Sequence, residues 1–401
     1  MHWYDFLWLI HELYTARYPD LIAIQRRGLL AVKIAQIYAL RADFLAPETC
    51  KHLAALYRKT TAIPAAQLDQ LIATDTPPAF MQAFSDFDRK PIASASIGQV
   101  HRATLRSGES VAVKLVKAQY TEQFRRDISA ASGVFRVATA LYPKLRGVAN
   151  PVAILREIEK TTTAELDLRN EIQGHARLAR IFDNHRSRFD LTRVRSLRTY
   201  PELTSERVLV TEWLSGPTLD ELMERGELSY DQLLDFFSIQ GFCMFAVGTF
   251  HGDIHPGNIV LQDKTFIFID AGYIGVVSDG LRKHLFDFFD ALSQWEYRAC
   301  ARHLNEMSSI QLAGRAYDQY EKKLVELYAD FKNATVAQVS LTKKMMQTIR
   351  LGVLSGMQFE EGMFDIIKSL MYLDGMVLRV NPQAVLLKDM RRFIDDFRAV
   401  M

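Results

Sequence analysis

The tightest constraint in this chain is a single stretch, His251-Gly252-Asp253-Ile254-His255-Pro256-Gly257-Asn258, followed by a short hairpin pattern and Asp270-Ala271-Gly272. Phosphoryl transfer needs a carboxylate to orient or deprotonate the attacking oxygen, and oxygen ligands that hold Mg²⁺ against the phosphates. An Asp, an Asn five residues later and an Asp-x-Gly behind a pair of strands supply this set. Asp253 takes the base position, Asn258 and Asp270 the metal positions, and Gly272 lets the chain turn beyond the ligand. A rival reading puts a transition metal on His251, Asp253 and His255, which share one face of an extended strand. It leaves Asn258 and Asp270 without a role.

Upstream, the pattern turns to period two. Gln99 to Leu105 alternates, Arg106-Ser107-Gly108 turns, and Val111 to Val116 returns, which predicts a β-hairpin. Its second strand carries Lys114, placed like the strand lysine that pairs with nucleotide phosphates. Just before the hairpin lies a loop of small residues, Ala93-Ser94-Ala95-Ser96-Ile97-Gly98, over which backbone N–H groups can approach phosphates. Ala and Ser in place of glycine make it stiffer. The lysine needs a helical carboxylate partner. Glu165-Leu166-Asp167 and Glu171 lie on a long helical pattern after Pro151, and on one continuous helix Glu165 and Glu171 point roughly 120° apart.

The remaining pattern gives the frame. Residues 1–72 read as helices, and a helical pattern runs from about Tyr120 to Asp183, interrupted near Pro143 and Asn150-Pro151. Strands are expected at Leu191–Ser196, Val208–Thr211, Ile259–Leu261 and Phe266–Ile269, with helix elsewhere after Gly216-Pro217. The fold class that follows is α+β, an atypical two-lobed protein-kinase-like fold with an N-terminal helical extension and a mostly helical C-lobe. The expected division is 1–88 for the extension, 89–214 for an N-lobe with inserted helices and 215–401 for the C-lobe.

The length of 401 residues suits such a two-lobed unit, and 49% hydrophobic residues are enough for a sizeable core. A net charge of +2 gives no argument for nucleic-acid binding. Cys50, Cys243 and Cys300 show neither metal spacing nor a pairing pattern, which fits a reducing, cytoplasmic setting. No apolar run is long enough to span a bilayer, and the N-terminus lacks the basic start of a signal peptide. Trp3, Leu7, Ile10 and Tyr14 recur at helical spacing, which suits either an interfacial membrane anchor or a helix packed on the protein's own core.

With these motifs together, the sequence resembles the UbiB (AarF-domain) family of atypical kinase-like proteins from about Leu29 to Pro382. The marks are Lys33-Ile34-Ala35-Gln36 with Arg41-Ala42-Asp43, the Ala93–Gln99 loop, Glu165-Leu166-Asp167 and His251–Asn258. Thr211 to Gly216 looks like a hinge that holds adenine by its backbone, with Glu212, Trp213 and Leu214 at its centre, and Leu370–Pro382 resembles the family's C-terminal helix. The resemblance implies a Lys114–Glu171 ion pair on ATP or ADP with Mg²⁺. It also implies an extension in which Lys33 and Gln36 lie over the active site, with Lys33 near Glu165. Such an extension would block protein substrates. The few residues between Gly272 and the helix cap Ser278 leave little room for a peptide-docking segment.

The family link implies an Mg-ATP-dependent kinase or ATPase connected to ubiquinone or a related isoprenoid quinone or precursor lipid, with peripheral membrane contact. Three departures stand out: Ala35 for the motif Gly, Ala271 for the usual Phe, and a charged Phe364–Met401 where some members carry paired transmembrane helices. Two alternatives follow, a nucleotide-binding pseudokinase scaffold or lipid-binding protein without turnover, and a small-molecule phosphotransferase.

Overall fold

The computed structural model describes residues 3–39, 45–57, 65–94, 98–116, 123–133, 151–360 and 362–401. The chain divides into two compact units, Met1–Gln173 with Arg198–Trp213, and Gly174–Leu197 with Leu214–Met401.

The first unit is built on an antiparallel sheet. Its strands are β1 (Phe84–Phe87), β2 (Ala93–Ser94), β3 (Gly98–Leu105), β4 (Ser110–Val116) and, after the excursion described below, β6 (Val208–Glu212), in the order β1-β3-β4-β6 with β2 on β3. The β3–β4 turn closes through Leu105 N–H donating to the Glu109 carbonyl (2.8 Å), with Gly108 at φ +88° where a side chain would be strained. The strand period of two decides the rest. Val111, Val113 and Leu115 point to one side, into a core with Leu68, Leu71, Phe80, Phe84, Val208 and Val210. Val116 and Leu209 join the opposite core, made by the helices of the extension (Leu9, Leu13, Ile24, Leu30, Ile34) and by Phe124, Leu155, Ile158 and Leu168. Lys114, opposite Val100 and Leu209 in the ladder, shares the Val116 face and so points to the helical side.

The extension is helical at Trp3–Thr15, Leu21–Arg26, Leu29–Ala39, Pro47–Leu53 and Ala65–Asp75. The first of these buries Leu9 and Leu13, while Tyr4, Leu7 and Tyr14 stay exposed together with Tyr18 and Ile22. The apolar spacing seen at Leu7 and Tyr14 thus marks the outer face, and a different stripe meets the core. Ala35 is fully buried in that core. The expected single helix carrying Glu165 and Glu171 is in fact two, Pro151–Glu165 and Arg169–His185. The break comes at Leu166–Leu168, where Leu168 N–H donates to the Glu206 carbonyl (2.8 Å) and Asp167 Oδ1 accepts from Arg169 N–H (3.1 Å). Residues 134–150, including Pro143 and Asn150, lie outside the described residues, as do Arg41-Ala42-Asp43.

The second unit is mainly helical with two small sheets. β5 (Val194–Ser196) runs parallel to β9 (Thr265–Phe268), which pairs antiparallel with β8 (Ile259–Gln262). β7 (Thr249–His251) pairs with β10 (Ile274–Val276). Helices Leu219–Arg225 and Tyr230–Gly241 each start with a capping box, Thr218 with Glu221 and Ser229 with Gln232. A π-helical segment at Phe242–Val247 then leads into β7. Helices at Asp279–Ser293, Tyr297–Glu306, Gly314–Leu327, Leu341–Ser355, Gly362–Val380 and Leu386–Val400 complete the unit. No helix among the described residues is long and apolar enough to cross a membrane.

Candidate functional site

The hairpin register places the proposed metal ligands. Ile259 faces Phe268, and Ile269 N–H donates to the Asn258 carbonyl (2.9 Å), so Asn258 and Asp270 emerge at the same end of β8–β9. Asn258 Nδ2 faces the Asp253 carbonyl (3.2 Å) and carboxylate (3.4 Å), which turns the Asn258 Oδ1 away from Asp253. Asp270 Oδ1 accepts the Gly272 N–H at 3.1 Å. An amide oxygen and a carboxylate are hard donors that suit Mg²⁺ rather than a soft transition metal.

His251 is the clamp between base and hairpin. Its Nδ1 accepts the Asp253 N–H (3.1 Å) and its Nε2–H donates to the Asp270 carbonyl, while the ring stacks on Phe268 with centroids 4.7 Å apart. Burial holds this imidazole below its ordinary pKa, so it is neutral in this role. Both nitrogens are engaged by backbone, which removes His251 from the rival metal reading. His255 Nδ1 accepts the Gly257 N–H (3.0 Å) and so supports the turn before Asn258. Among the described residues one cluster has metal-type composition, His284, His303 and Glu306. There Glu306 Oε2 lies 2.9 Å from His303 Nδ1, and Arg302 faces His303 Nε2.

The segment beyond Asp270 is short and pinned. Tyr273 O accepts the Gly252 N–H (3.1 Å), β10 follows at once, and Ser278 caps the Asp279–Ser293 helix through Leu281 N–H. Gly252 is required here, since a Cβ would meet the Tyr273 ring at 2.4 Å. Ala271 is buried against Gly174, where a Cβ on residue 174 would meet the Ala271 carbonyl at 1.9 Å.

One participant was not legible in the motifs. Lys368 lies on the Gly362–Val380 helix, and its Nζ ion-pairs with Asp253 Oδ1 at 3.0 Å. Burial alone would raise the Asp253 pKa, but the Lys368 ammonium more than offsets it and holds the carboxyl below its usual range. The signal available in the sequence was a cation at helical spacing from Asp365 and Tyr372, recognisable only once those residues are seen to meet the loop.

In the first unit, Lys114 forms an ion pair with Glu171, which sits in the first turn of the Arg169–His185 helix, where a carboxylate is favoured by the helix N-terminus. Glu171 is 3% exposed. Lys33 pairs with Glu165, at the last residue of its helix. Asp167 turns to Arg169 instead (2.7 Å), whose hydrogen bonds hold its carboxyl below the usual range. Gln36 is buried and donates to the Leu56 carbonyl (3.1 Å), a packing bond inside the extension.

Ala93 and Ser94 pair with Val100 and Gln99, while Ala95, Ser96 and Ile97 lie outside the described residues. Gly98 has a steric reason of its own, since a Cβ there would stand 2.4 Å from the Leu115 carbonyl. At the hinge, Glu212 N–H donates to the Arg198 carbonyl (3.0 Å) and Trp213 N–H to the Ser110 carbonyl (3.2 Å). These two donors are therefore already engaged by backbone carbonyls.

A lysine strand answered by a helical carboxylate, and an Asp-Asn-Asp set on a loop and hairpin, define a protein of the kinase-like class. The chain belongs to the ABC1 atypical kinase-like family, whose domain matches residues 55–304. It is 26% identical over 390 residues to "Probable protein kinase UbiB" of Vibrio cholerae, covering 94% of this chain and 70% of the relative. The corresponding protein of Glaesserella parasuis is 26% identical over 395 residues, with 94% and 69% covered. Among solved structures it is similar to Rv3197 of Mycobacterium tuberculosis, described as a complex with erythromycin, at 20% identity and a TM-score of 0.54 over 95% of this chain and 96% of that one. That likeness speaks for the fold.

Proposed function

We propose that this chain is an Mg-nucleotide-dependent atypical kinase or ATPase acting on, or beside, an isoprenoid-quinone type of lipid. The observation that carries the reading is the hairpin register that brings Asn258 and Asp270 to one end, with Asp253 tied to both through Asn258 and His251. Asn258 and Asp270 would hold Mg²⁺, which neutralises phosphate charge. Lys114, fixed by Glu171, takes the phosphates of ATP or ADP. Asp253 accepts the proton of the attacking hydroxyl or water as its oxygen bonds to the terminal phosphorus and the bridging P–O bond to the leaving diphosphate breaks.

The short, β-paired segment after Asp270 supports a small or lipid acceptor over a protein one. The lipid class and the ubiquinone link rest on the family alone. Membrane contact is assigned to the exposed Tyr4, Leu7, Tyr14, Tyr18 and Ile22, whose aromatic share suits the headgroup level. A second reading, nucleotide binding without turnover, is favoured by the Lys368 ammonium on the base carboxylate.

The test combines nucleotide-dependent thermal shift with phosphate release, with and without detergent or a quinone analogue. Asp270→Asn should abolish most of the Mg-nucleotide stabilisation, because a charged oxygen ligand is lost. Asp253→Asn should keep that stabilisation and lose turnover. Equal stabilisation of wild type and Asp270→Asn sinks the assignment, and binding with no release under any lipid condition decides for the second reading.

A further inference from the structure

The Gly362–Val380 helix lies wholly beyond the matched domain, yet it touches the loop at three places. Asp365 Oδ1 accepts the Tyr273 hydroxyl (2.6 Å), Lys368 ion-pairs with Asp253, and the Tyr372 ring meets His255 edge-on at 5.6 Å. The spacing i, i+3, i+7 puts all three on one helical face. Each contact falls on a different part of the loop: the residue after Asp-Ala-Gly, the base, and the turn before Asn258.

The helix is itself anchored at its far end. Asp374 accepts from Ser340 Oγ (2.7 Å) and from Thr342 N–H (3.2 Å), and Arg379 ion-pairs with Asp220 (2.8 Å). The stripe is therefore presented from a fixed support.

We infer that Lys368 is a catalytic residue that masks Asp253 at rest and moves to the terminal phosphate of a bound nucleoside triphosphate, unmasking the carboxylate for the acceptor. The inference rests on the nucleotide reading above and adds a control element to that site. Three observations bear on it. At rest Asp253 presents Oδ1 to Lys368 and Oδ2 to Asn258, so neither oxygen is directed to an acceptor. The lysine is a flexible point charge and its side chain is 34% exposed, so its ammonium can swing without breaking the core. The Tyr273 ring stands 5.7 Å from Nζ and is held by Asp365, giving the ammonium a second favourable surface beside Asp253. Phosphoryl transfer spreads charge over the terminal oxygens, and a cation delivered there stabilises that charge while releasing the base.

The experiment measures Mg-ATP and Mg-ADP affinity, and kcat with KM for phosphate release, in wild type, Lys368→Met and Lys368→Arg. Lys368→Met should lose roughly tenfold of the preference for Mg-ATP over Mg-ADP, leave Mg-ADP affinity within about twofold, and lower kcat at least about tenfold, the ordinary scale for one charged contact at a reacting phosphate. Lys368→Arg, which keeps the charge, should restore most of the ATP preference. A purely structural lysine would weaken both nucleotides alike. An unchanged ATP-to-ADP ratio and kcat in Lys368→Met overturn the inference while leaving the nucleotide reading standing. Failure of wild type to bind either nucleotide overturns both.

Discussion

Two lysine–glutamate pairs in the first unit use the same chemistry on different supports. Lys114 is held in the middle of a ladder, bonded on one side to β3 and on the other to β6, and its partner Glu171 is almost wholly buried. Lys33, with 14% of its side chain exposed, stands on the Leu29–Ala39 helix and meets Glu165 at the final residue of a helix, where 34% of the carboxylate side chain is exposed. Helix ends open more readily than ladder centres, and partly exposed pairs contribute less than buried ones. The proposed function, with a fixed phosphate site beside a gate that a lipid or nucleotide can bias, predicts that the strand pair holds while the extension pair opens.

The largest effect is expected at the strand pair. Lys114→Met takes the ammonium away from a buried carboxylate and should destabilise the protein by about 3–5 kcal/mol, as well as removing nucleotide stabilisation. Adding Glu171→Gln should return much of the stability and none of the binding, as read by denaturant titration. A loss no larger than that of Lys33→Ala would erase the contrast.

Next comes the ladder itself. Gly98→Ala drives a methyl toward the Leu115 carbonyl and should cost about 1–3 kcal/mol, the scale of overpacking, with weaker Mg-nucleotide stabilisation because Val100, two residues along β3, is the cross-strand partner of Lys114. A neutral Gly98→Ala in thermal unfolding would show that β3 yields and the ladder is not rigid.

The smallest effect belongs to the gate. Lys33→Ala should change stability by about 1 kcal/mol or less and still alter ATP-versus-ADP preference or lipid-stimulated release. If affinity and lipid response both match wild type, Lys33 serves only to pack the extension.

The arrangement of the loop was legible because local spacing and hairpin register suffice to bring Asp253, Asn258 and Asp270 together. The β3–β4 hairpin was legible for the same reason, with Gly108 at the turn. What escaped depended on distant partners. β7 and β10 are three residues each, with Gly275 opposite Phe250, too short for alternation to register. The break at Leu166–Leu168 needs the Glu206 carbonyl, which lies on a later strand connection far along the chain, to make sense. The outward face of the first helix could not be told from its inward one, since Leu9 and Leu13 compete with Leu7 and Tyr14 for the core. Lys368 looked like one more surface charge in a charged helix, because nothing local links it to a loop more than a hundred residues earlier.

The close packing of Ala271 on Gly174 has a pharmacological consequence. In kinases with Asp-Phe-Gly, the Phe changes packing between active and inactive states, and the space it vacates can admit a small molecule. Here residue 271 is a buried methyl group beside Gly174, so there is no ring at this position to displace. Selective inhibitors of this chain would have to be designed on features that ordinary kinases lack, such as the Lys368 stripe, and compounds that depend on a displaced Phe should pass it by.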